Sequence, residues 1–223
     1  MEDQQMKYYL DSADYKMIGK YVEDYNLEGV TCNPTIIIKD QAEIGKLIES
    51  VPKGKEVFLQ VISDDEEGII RETKALMELR EDVIVKIPAT EQGLKAIRKL
   101  KEEKIDVLAT AIYSMQQALM AANCGAAYVA PYVNRICNLE MDGVDVTLKI
   151  HKVFQEQNIS CKIIAASFKN MDQVNQLMAG GIEAVTVGAD LMEKIVHNKH
   201  AQEASDDFID AWEEYTGERK LIL

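Results

Sequence analysis

A single lysine stands inside an apolar run, Val83–Ile87, that a proline follows at position 88. Short runs of β-branched residues are typical of strands that are buried on both faces. Side chains alternate along a strand, so Lys86 shares one face with Ile84. Burial disfavours the charged ammonium and favours the free amine, which can attack a ketone and form a Schiff base. The alternative is a lysine that protects the exposed edge of an open sheet.

Polar groups also follow the other apolar runs of the chain. They include a carboxylate, a phenol and a guanidinium, which could orient a substrate, carry a proton and hold an anion. For any single Asn, Thr or Ser, a helix cap or a turn is the simpler explanation. As a set, however, these residues predict an active site. Its members are Asp11, Asn33, Gln60, Lys86, Thr110, Tyr132, Arg135 and Ser167.

Other common catalytic patterns are not indicated by the sequence. The three histidines, His151, His197 and His200, fall in or beside helical segments. They have no metal-ligand spacing with cysteines or carboxylates, and they suggest no Ser-His-Asp arrangement. We therefore expect lysine imine chemistry that uses neither a metal nor an organic cofactor.

The elements that must position these groups alternate along the whole chain. Amphipathic stretches separate eight apolar runs, and three stretches begin with capping sequences, at Ser63, Ser114 and Asn170. Alternation of buried strands and helices over 223 residues predicts one α/β domain, 1–223, a (β/α)8 barrel of the TIM type with catalytic groups at the carboxyl ends of its strands. An open doubly wound sheet is the alternative, but its GxGxxG turn is missing. The expected strands are Lys7–Leu10, Gly29–Thr31, Val57–Val61, Val83–Ile87, Val107–Ile112, Ala127–Val133, Lys162–Ala166 and Ala184–Val187.

Two extra C-terminal helices are expected after the eighth run, at about 190–197 and 203–215. The second carries Phe208 and Trp212 on an apolar stripe. A finished barrel has no missing strand or helix for this stripe to complete, so the helix packs on its own barrel or on a neighbouring subunit. We expect the segment 190–216 to take part in oligomer contacts.

Charge and cysteine content limit the partners and the compartment. Lysine and arginine number 25 and aspartate and glutamate 38, giving a formal net charge of −13. So acidic a chain argues against nucleic acid and anionic membranes as partners, but a phosphorylated small substrate needs only a local cationic pocket.

Residues 1–5 show no secretory signal, and no apolar segment is long enough to span a bilayer. Irregular cysteine spacing is typical of reduced thiols in a cytoplasmic protein; the cysteines are Cys32, Cys124, Cys137 and Cys161.

Five segments resemble signature segments of the fructose-6-phosphate aldolase and small transaldolase family. The similarity extends from about Lys7 to Trp212, with the motifs in family order. It implies a (β/α)8 barrel, imine catalysis without a metal, a sugar-phosphate substrate and a large homo-oligomer, a decamer. The segments are Tyr9–Asp14, Gly29–Thr35, Val85–Thr90, Tyr128–Arg135 and Ala165–Lys169.

Positions 60 and 132 separate two chemistries within this resemblance. Transaldolases of this fold typically have Glu and Phe there, whereas the aldolase branch has Gln and Tyr, as this chain does. Gln60 cannot titrate and can only position a water, so the phenol of Tyr132 would carry the proton. The resemblance implies a class I aldolase that cleaves or forms fructose 6-phosphate through an imine on Lys86, with Thr110 helping to hold the water.

The resemblance also implies the substrate contacts. Asp11 and Asn33 would bind sugar hydroxyls and orient the intermediate, and Arg135 and Ser167 would hold the phosphate. From the acidic composition alone, Arg135 could equally form a surface salt bridge. Three residues depart from the family pattern, the first two near the expected site, where they would affect substrate preference: Cys32, Ala109 and Thr35.

Two other functions are open at this point. One is a transaldolase of the pentose phosphate pathway, which transfers the dihydroxyacetone unit to an acceptor aldehyde. The other is a barrel that binds sugar phosphates without turnover, although a complete set of lysine, phenol and carboxylate argues against it.

Overall fold

Eight parallel strands close into a barrel in the computed structural model, which describes residues 6–221. Each strand pairs with the next, and the last pairs with the first. The TIM-type prediction is confirmed, and the open-sheet alternative is wrong. Because a closed barrel has no edge strand, Lys86 cannot be an edge lysine. The strands, numbered β1 to β8, are Lys7–Asp11, Gly29–Thr31, Glu56–Gln60, Val83–Pro88, Val107–Ile112, Tyr128–Pro131, Lys162–Ala165 and Ala184–Gly188.

Helices follow the strands, as the alternation of the sequence predicts. The first continues into a short π-helical segment, Gly19–Glu23. The α-helices, numbered α1 to α11, are Tyr15–Ile18, Pro34–Asp40, Ile44–Ser50, Glu66–Leu79, Glu91–Glu102, Met115–Asn123, Val133–Cys137, Gly143–Glu156, Met171–Ala179, Ala189–Val196 and Lys199–Thr216.

Two of the three predicted helix caps are confirmed. Ser114 Oγ accepts a hydrogen bond from the Gln117 amide at 3.3 Å, and Asn170 Oδ1 accepts one from the Gln173 amide at 3.0 Å. The third prediction is wrong by two residues, because Asp65 caps α4 and accepts from the Gly68 amide at 2.8 Å. A carboxylate at that position also interacts favourably with the helix dipole.

Aromatic and aliphatic side chains fill the barrel interior below the carboxyl ends of the strands. Phe58 makes edge contacts with Tyr9, at 5.3 Å between ring centroids, and with Tyr128, at 5.6 Å. The hydroxyl of Tyr9 donates to the carboxylate of Glu56. Ile84 packs against this cluster, which places the Ile84 face of β4 inside the barrel. The interior is therefore a packed core, and the carboxyl ends of the strands lie above it.

Helix α5 approaches β4 so closely that only glycine fits at position 93. A β-carbon there would lie 1.9 Å from the carbonyl oxygen of Pro88. The contact fixes the end of β4, two residues beyond Lys86.

The described residues form two compact units, which divide after Ala189. The second unit contains most of α10 and all of α11, so the expected extra helices are present, but α11 begins at Lys199 because Asn198 caps it. In this unit Trp212 Nε1 donates to the Lys220 carbonyl at 3.0 Å. That 1–223 is a single domain stays a prediction, and residues 1–5, expected to carry no secretory signal, lie outside the described part. Within 6–221, no helix has the length and apolar character needed to cross a bilayer.

Candidate active site

Lys86 is 4% exposed and points into the carboxyl end of the barrel. It stands beside Gln60 in the register of β3 and β4. Its side chain lines a cavity of about 220 Å³. Six of the eight predicted site residues meet at this cavity. The complete lining is Asp11, Asn33, Thr35, Ile36, Lys86, Tyr132, Arg135, Ala166 and Ser167.

The two predicted residues that do not line the cavity are Gln60 and Thr110. The hydroxyl of Thr110 donates to the phenol oxygen of Tyr132 at 2.9 Å. The side-chain oxygen of Gln60 is buried and has no hydrogen-bond partner among the described residues. A buried amide oxygen without a partner is a natural place for an ordered water.

Asp11 is held by a chain of hydroxyl groups inside the barrel. Thr31 Oγ1 donates to Asp11 Oδ1 at 2.7 Å and lies 2.6 Å from the hydroxyl of Thr186 on β8. Burial raises the pKa of the Asp11 carboxyl, although the positive charge of Lys86 and the Thr31 hydrogen bond act in the opposite direction. Desolvation is therefore the largest effect on this carboxyl.

Asn33 has a structural role and also lines the cavity. Its Oδ1 caps α2 and accepts from the Ile36 amide at 3.1 Å, and Pro34 occupies the first helical position. The cap uses only the oxygen, so the two amide N–H donors of Asn33 are not needed for it. The cap explanation and the binding prediction for this residue are compatible.

Tyr132 lies at the junction between β6 and α7. The strand ends at Pro131, two residues before its predicted end, because α7 begins at Val133. The phenol is 7% exposed, and the guanidinium carbon of Arg135 lies 4.7 Å from the centre of its ring. The short helix therefore brings the phenol and the cation to the same side of the cavity.

Arg135 and Ser167 both line the cavity. Arg135 is exposed and forms no ion pair with a carboxylate of residues 6–221, unlike the salt-bridged arginine that composition alone allowed. Ser167 has a positive φ of 62°, and its carbonyl accepts from the Asn134 amide at 2.7 Å. A non-glycine residue in this conformation is strained, and such residues cluster at functional sites.

Comparison with known proteins identifies the family of this chain. The family model described as Transaldolase/Fructose-6-phosphate aldolase matches residues 8–220. The chain belongs to this family. It is an enzyme of the aldolase or transaldolase type, as the sequence motifs predict.

Relatives in the transaldolase/aldolase family carry both names. A protein of Streptococcus pneumoniae named "Probable fructose-6-phosphate aldolase" is 40% identical over 216 residues, which cover 93% of this chain and 96% of that protein. A "Probable transaldolase" of Kosmotoga olearia is 33% identical over 213 residues, or 94% of this chain and 97% of that protein. Among solved structures, flavocytochrome b2 is similar with a TM-score of 0.62 and 11% identity, covering 82% of this chain and 56% of the other. That likeness concerns the barrel fold alone.

Two of the three departures from the family pattern do not line the cavity. Cys32 is fully buried, and its thiol donates to the Ser12 carbonyl at 2.8 Å; burial raises the pKa of this thiol. Ala109 is fully buried as well. Thr35, the third departure, does line the cavity and is better placed to affect substrate preference.

Several residues around the site were not predicted from the sequence. Ile36 and Ala166 line the cavity, and Thr186 reaches Asp11 only through another hydroxyl. Apolar and threonine side chains carry no distinguishing signal in the sequence. For metal binding, residues 6–221 contain no group of three or more His, Cys, Asp or Glu side chains suitably close together.

Proposed function

We propose that this chain is a class I aldolase that cleaves and forms fructose 6-phosphate through an imine on Lys86. The observation that carries the proposal is the position of this lysine. It is buried at 4% exposure in a small cavity at the carboxyl end of the barrel, beside a hydrogen-bonded phenol and the carboxylate of Asp11. Imine formation needs an uncharged amine next to groups that can move protons.

Cleavage begins when the Lys86 amine attacks the ketone carbon of the sugar and water is lost. The resulting protonated imine is an electron sink. The bond between the third and fourth carbons breaks as the fourth-carbon hydroxyl loses its proton, and glyceraldehyde 3-phosphate leaves. The bonding electrons remain as an enamine, which is protonated at carbon. Hydrolysis of the imine then releases dihydroxyacetone and regenerates the amine.

The proton route proposed here uses Tyr132, Thr110 and Gln60. Thr110 donates to the phenol oxygen at 2.9 Å, so the phenol can pass on its own proton without losing its position. The unpartnered oxygen of Gln60 is available to hold the water that links the phenol to the sugar. A glutamine holds such a water without competing for the proton. This favours aldol cleavage, since a carboxylate base is absent at position 60.

Substrate orientation is assigned to the remaining lining residues. Asp11 and the free amide donors of Asn33 would bind the hydroxyls of the three-carbon unit close to Lys86. Arg135 and Ser167, which also line the cavity, would bind the phosphate, with charge-assisted hydrogen bonds from the guanidinium. An exposed arginine that forms no ion pair with a carboxylate of the described residues is suited to this role.

Transaldolase activity is the second candidate. It shares every step up to the enamine, which would then attack an acceptor aldehyde, as in the pentose phosphate pathway. The relative named probable transaldolase, at 33% identity, supports this alternative. Gln60 and Tyr132 argue for the aldolase.

Assembly and compartment complete the proposal. We propose a large homo-oligomer, a decamer, with α11 in subunit contacts, because this helix exposes Phe208 and Tyr215 at 74% and 84%. The four cysteines of the described part are free thiols, which suits the reducing cytoplasm. The net charge of −13 is unfavourable for nucleic-acid binding.

Steady-state assays with fructose 6-phosphate, with and without erythrose 4-phosphate, test the proposed function. We expect release of glyceraldehyde 3-phosphate without an acceptor. Faster turnover with erythrose 4-phosphate would favour the transaldolase, and binding without turnover in either assay would leave a sugar-phosphate binding protein.

A further inference from the structure

We propose that Tyr113 is a positioning residue that holds the phenol of Tyr132 in its catalytic orientation. This inference rests on the proposed function, in which Tyr132 carries the proton. Tyr113 follows β5 and belongs to none of the segments that resemble the family motifs.

The rings of Tyr113 and Tyr132 meet edge to face. Their centroids are 5.9 Å apart and their planes are inclined by 69°, which is a favourable arrangement of two aromatic rings. The same phenol receives the Thr110 hydrogen bond at its oxygen, 2.9 Å away. The guanidinium of Arg135 lies 4.7 Å from its ring centre. Tyr113, Thr110 and Arg135 therefore all contact the side chain of Tyr132.

Tyr113 acts through Tyr132 rather than on the substrate. It is half-buried and absent from the cavity wall. Its backbone amide donates to the side chain of Gln117 on α6 at 2.9 Å, which fixes the chain at this point. No hydrogen bond is formed by its phenol hydroxyl within residues 6–221. The ring of Tyr113, rather than its hydroxyl, therefore makes the contact with Tyr132.

An irregularity in β5 brings both Thr110 and Tyr113 to the phenol of Tyr132. Between Ala109 and Ile112 the register with β6 shifts by one residue, and Ala111 has a positive φ of 57°. A bulge of this kind redirects the side chains on either side of it. Thr110 precedes the strained residue and Tyr113 follows it, and both contact Tyr132. Strain at a non-glycine residue persists where the surrounding structure imposes it, often at functional sites.

The position of the Tyr132 phenol matters because proton transfer requires hydrogen-bond distances between the reacting groups. Tyr132 is the residue before a five-residue helix, and its own side chain makes no capping bond that would fix it. Without the Tyr113 ring, the phenol would have more freedom to turn away from the water and the sugar. Small misplacements of this kind lower the rate with little effect on binding.

The test compares Tyr113→Leu with Tyr113→Phe. We expect kcat for fructose 6-phosphate cleavage to fall roughly 10- to 100-fold in Tyr113→Leu, with KM close to the wild-type value. Tyr113→Phe keeps the ring and should restore kcat. Tyr113→Met, which keeps more of the side-chain volume, should show the same loss of kcat as Tyr113→Leu. It replaces Tyr113→Leu in the test if Tyr113→Leu does not fold.

The matched control is Tyr128→Leu. Tyr128 is also half-buried and makes the same kind of edge contact, with Phe58 at 5.6 Å and 87°, but it lies at the amino end of β6. It should keep the wild-type kcat, while borohydride trapping at Lys86 should persist in all the variants.

Three results would overturn the positioning role: wild-type kcat in Tyr113→Leu and Tyr113→Met, a Tyr113→Phe enzyme as slow as Tyr113→Leu, or an equal loss in Tyr128→Leu. If the wild type itself neither cleaves the sugar nor forms a trapped imine, the proposed function fails, and the role of Tyr113 fails with it.

Discussion

Lys86 and Asp11 place opposite charges in one small cavity. The lysine charge favours the ionised form of the carboxyl, yet burial has the larger effect and raises the pKa of Asp11. The raised pKa makes the Asp11 carboxyl easier to protonate, which suits a group that is proposed to hold sugar hydroxyls.

The phenol of Tyr132 is expected to control the rate of cleavage. Tyr132→Phe removes the proposed proton carrier and the acceptor of the Thr110 hydrogen bond. Cleavage of fructose 6-phosphate should fall about 10²-fold or more, as is usual for the loss of a general acid–base group. Borohydride trapping should survive, because Lys86 is unchanged.

The control for this change is Tyr9→Phe, which removes another buried phenol hydroxyl, one bonded to Glu56 in the core. It should cleave at the wild-type rate. A Tyr132→Phe enzyme as fast as the wild type would show that the proton takes another route.

Asp11 predicts a specific dependence of stability on pH. Because its native pKa is raised, the native state binds this proton more tightly than the unfolded chain, whose aspartates titrate at about pH 4. The stabilisation is complete below that pH and is lost as the pH rises through the native pKa. Asp11→Asn lacks this dependence, so its free energy of unfolding relative to wild type should increase with pH. Urea unfolding across acidic to neutral pH measures this; a constant or falling difference would contradict it.

At the scale of elements, the contact between α5 and β4 holds the strand that carries Lys86. Gly93→Ala would place a β-carbon 1.9 Å from the Pro88 oxygen. We expect a loss of about 1–3 kcal/mol in the free energy of unfolding, the usual cost of overpacking. Reduced activity should accompany it, since the helix must move away from β4.

The matched control is Gly45→Ala in α3, where a β-carbon would meet nothing within 4 Å. It should stabilise the protein by about 0.4–1 kcal/mol, because alanine restricts the unfolded chain. Thermal or urea unfolding of both variants measures the difference, and equal effects would refute the assigned contact.

The strands, and the polar residues that line one cavity, were predictable because each depends on a local pattern. Lys86 stands out as a charge within an apolar run, and the polar strand ends meet wherever parallel strands close into a barrel. Asp65 replaces Ser63 as the cap of α4, since neighbouring capping residues compete and sequence does not rank them.

Tyr113 and Thr186 could not be predicted, because each reaches the site through another side chain. The bulge in β5 is also invisible in the sequence, since alanine at position 111 gives no sign of a positive φ. These features depend on three-dimensional register rather than on residue type.

At the scale of the whole molecule, the proposed oligomer depends on contacts of α11 with a neighbouring subunit. Phe208 is 74% exposed, whereas Trp212 is half-buried and hydrogen-bonded within its own unit. Burying one large aromatic side chain against a neighbour contributes about 1.5–3 kcal/mol. Phe208→Glu should therefore weaken the oligomer, and Glu214→Gln on the same helix should not.

Light scattering of the wild type should give a mass many times 25.1 kDa, and Phe208→Glu should give a lower one. A wild-type monomer at micromolar concentration would exclude the proposed assembly.

An imine between Lys86 and the substrate is the step on which the proposed function depends. Borohydride added together with dihydroxyacetone should inactivate the enzyme and add the reduced three-carbon unit to Lys86, located by peptide mass spectrometry. Lys86→Arg should fold but take up no label, because a guanidinium stays protonated. Label on another lysine, or inactivation without any label, would contradict the account.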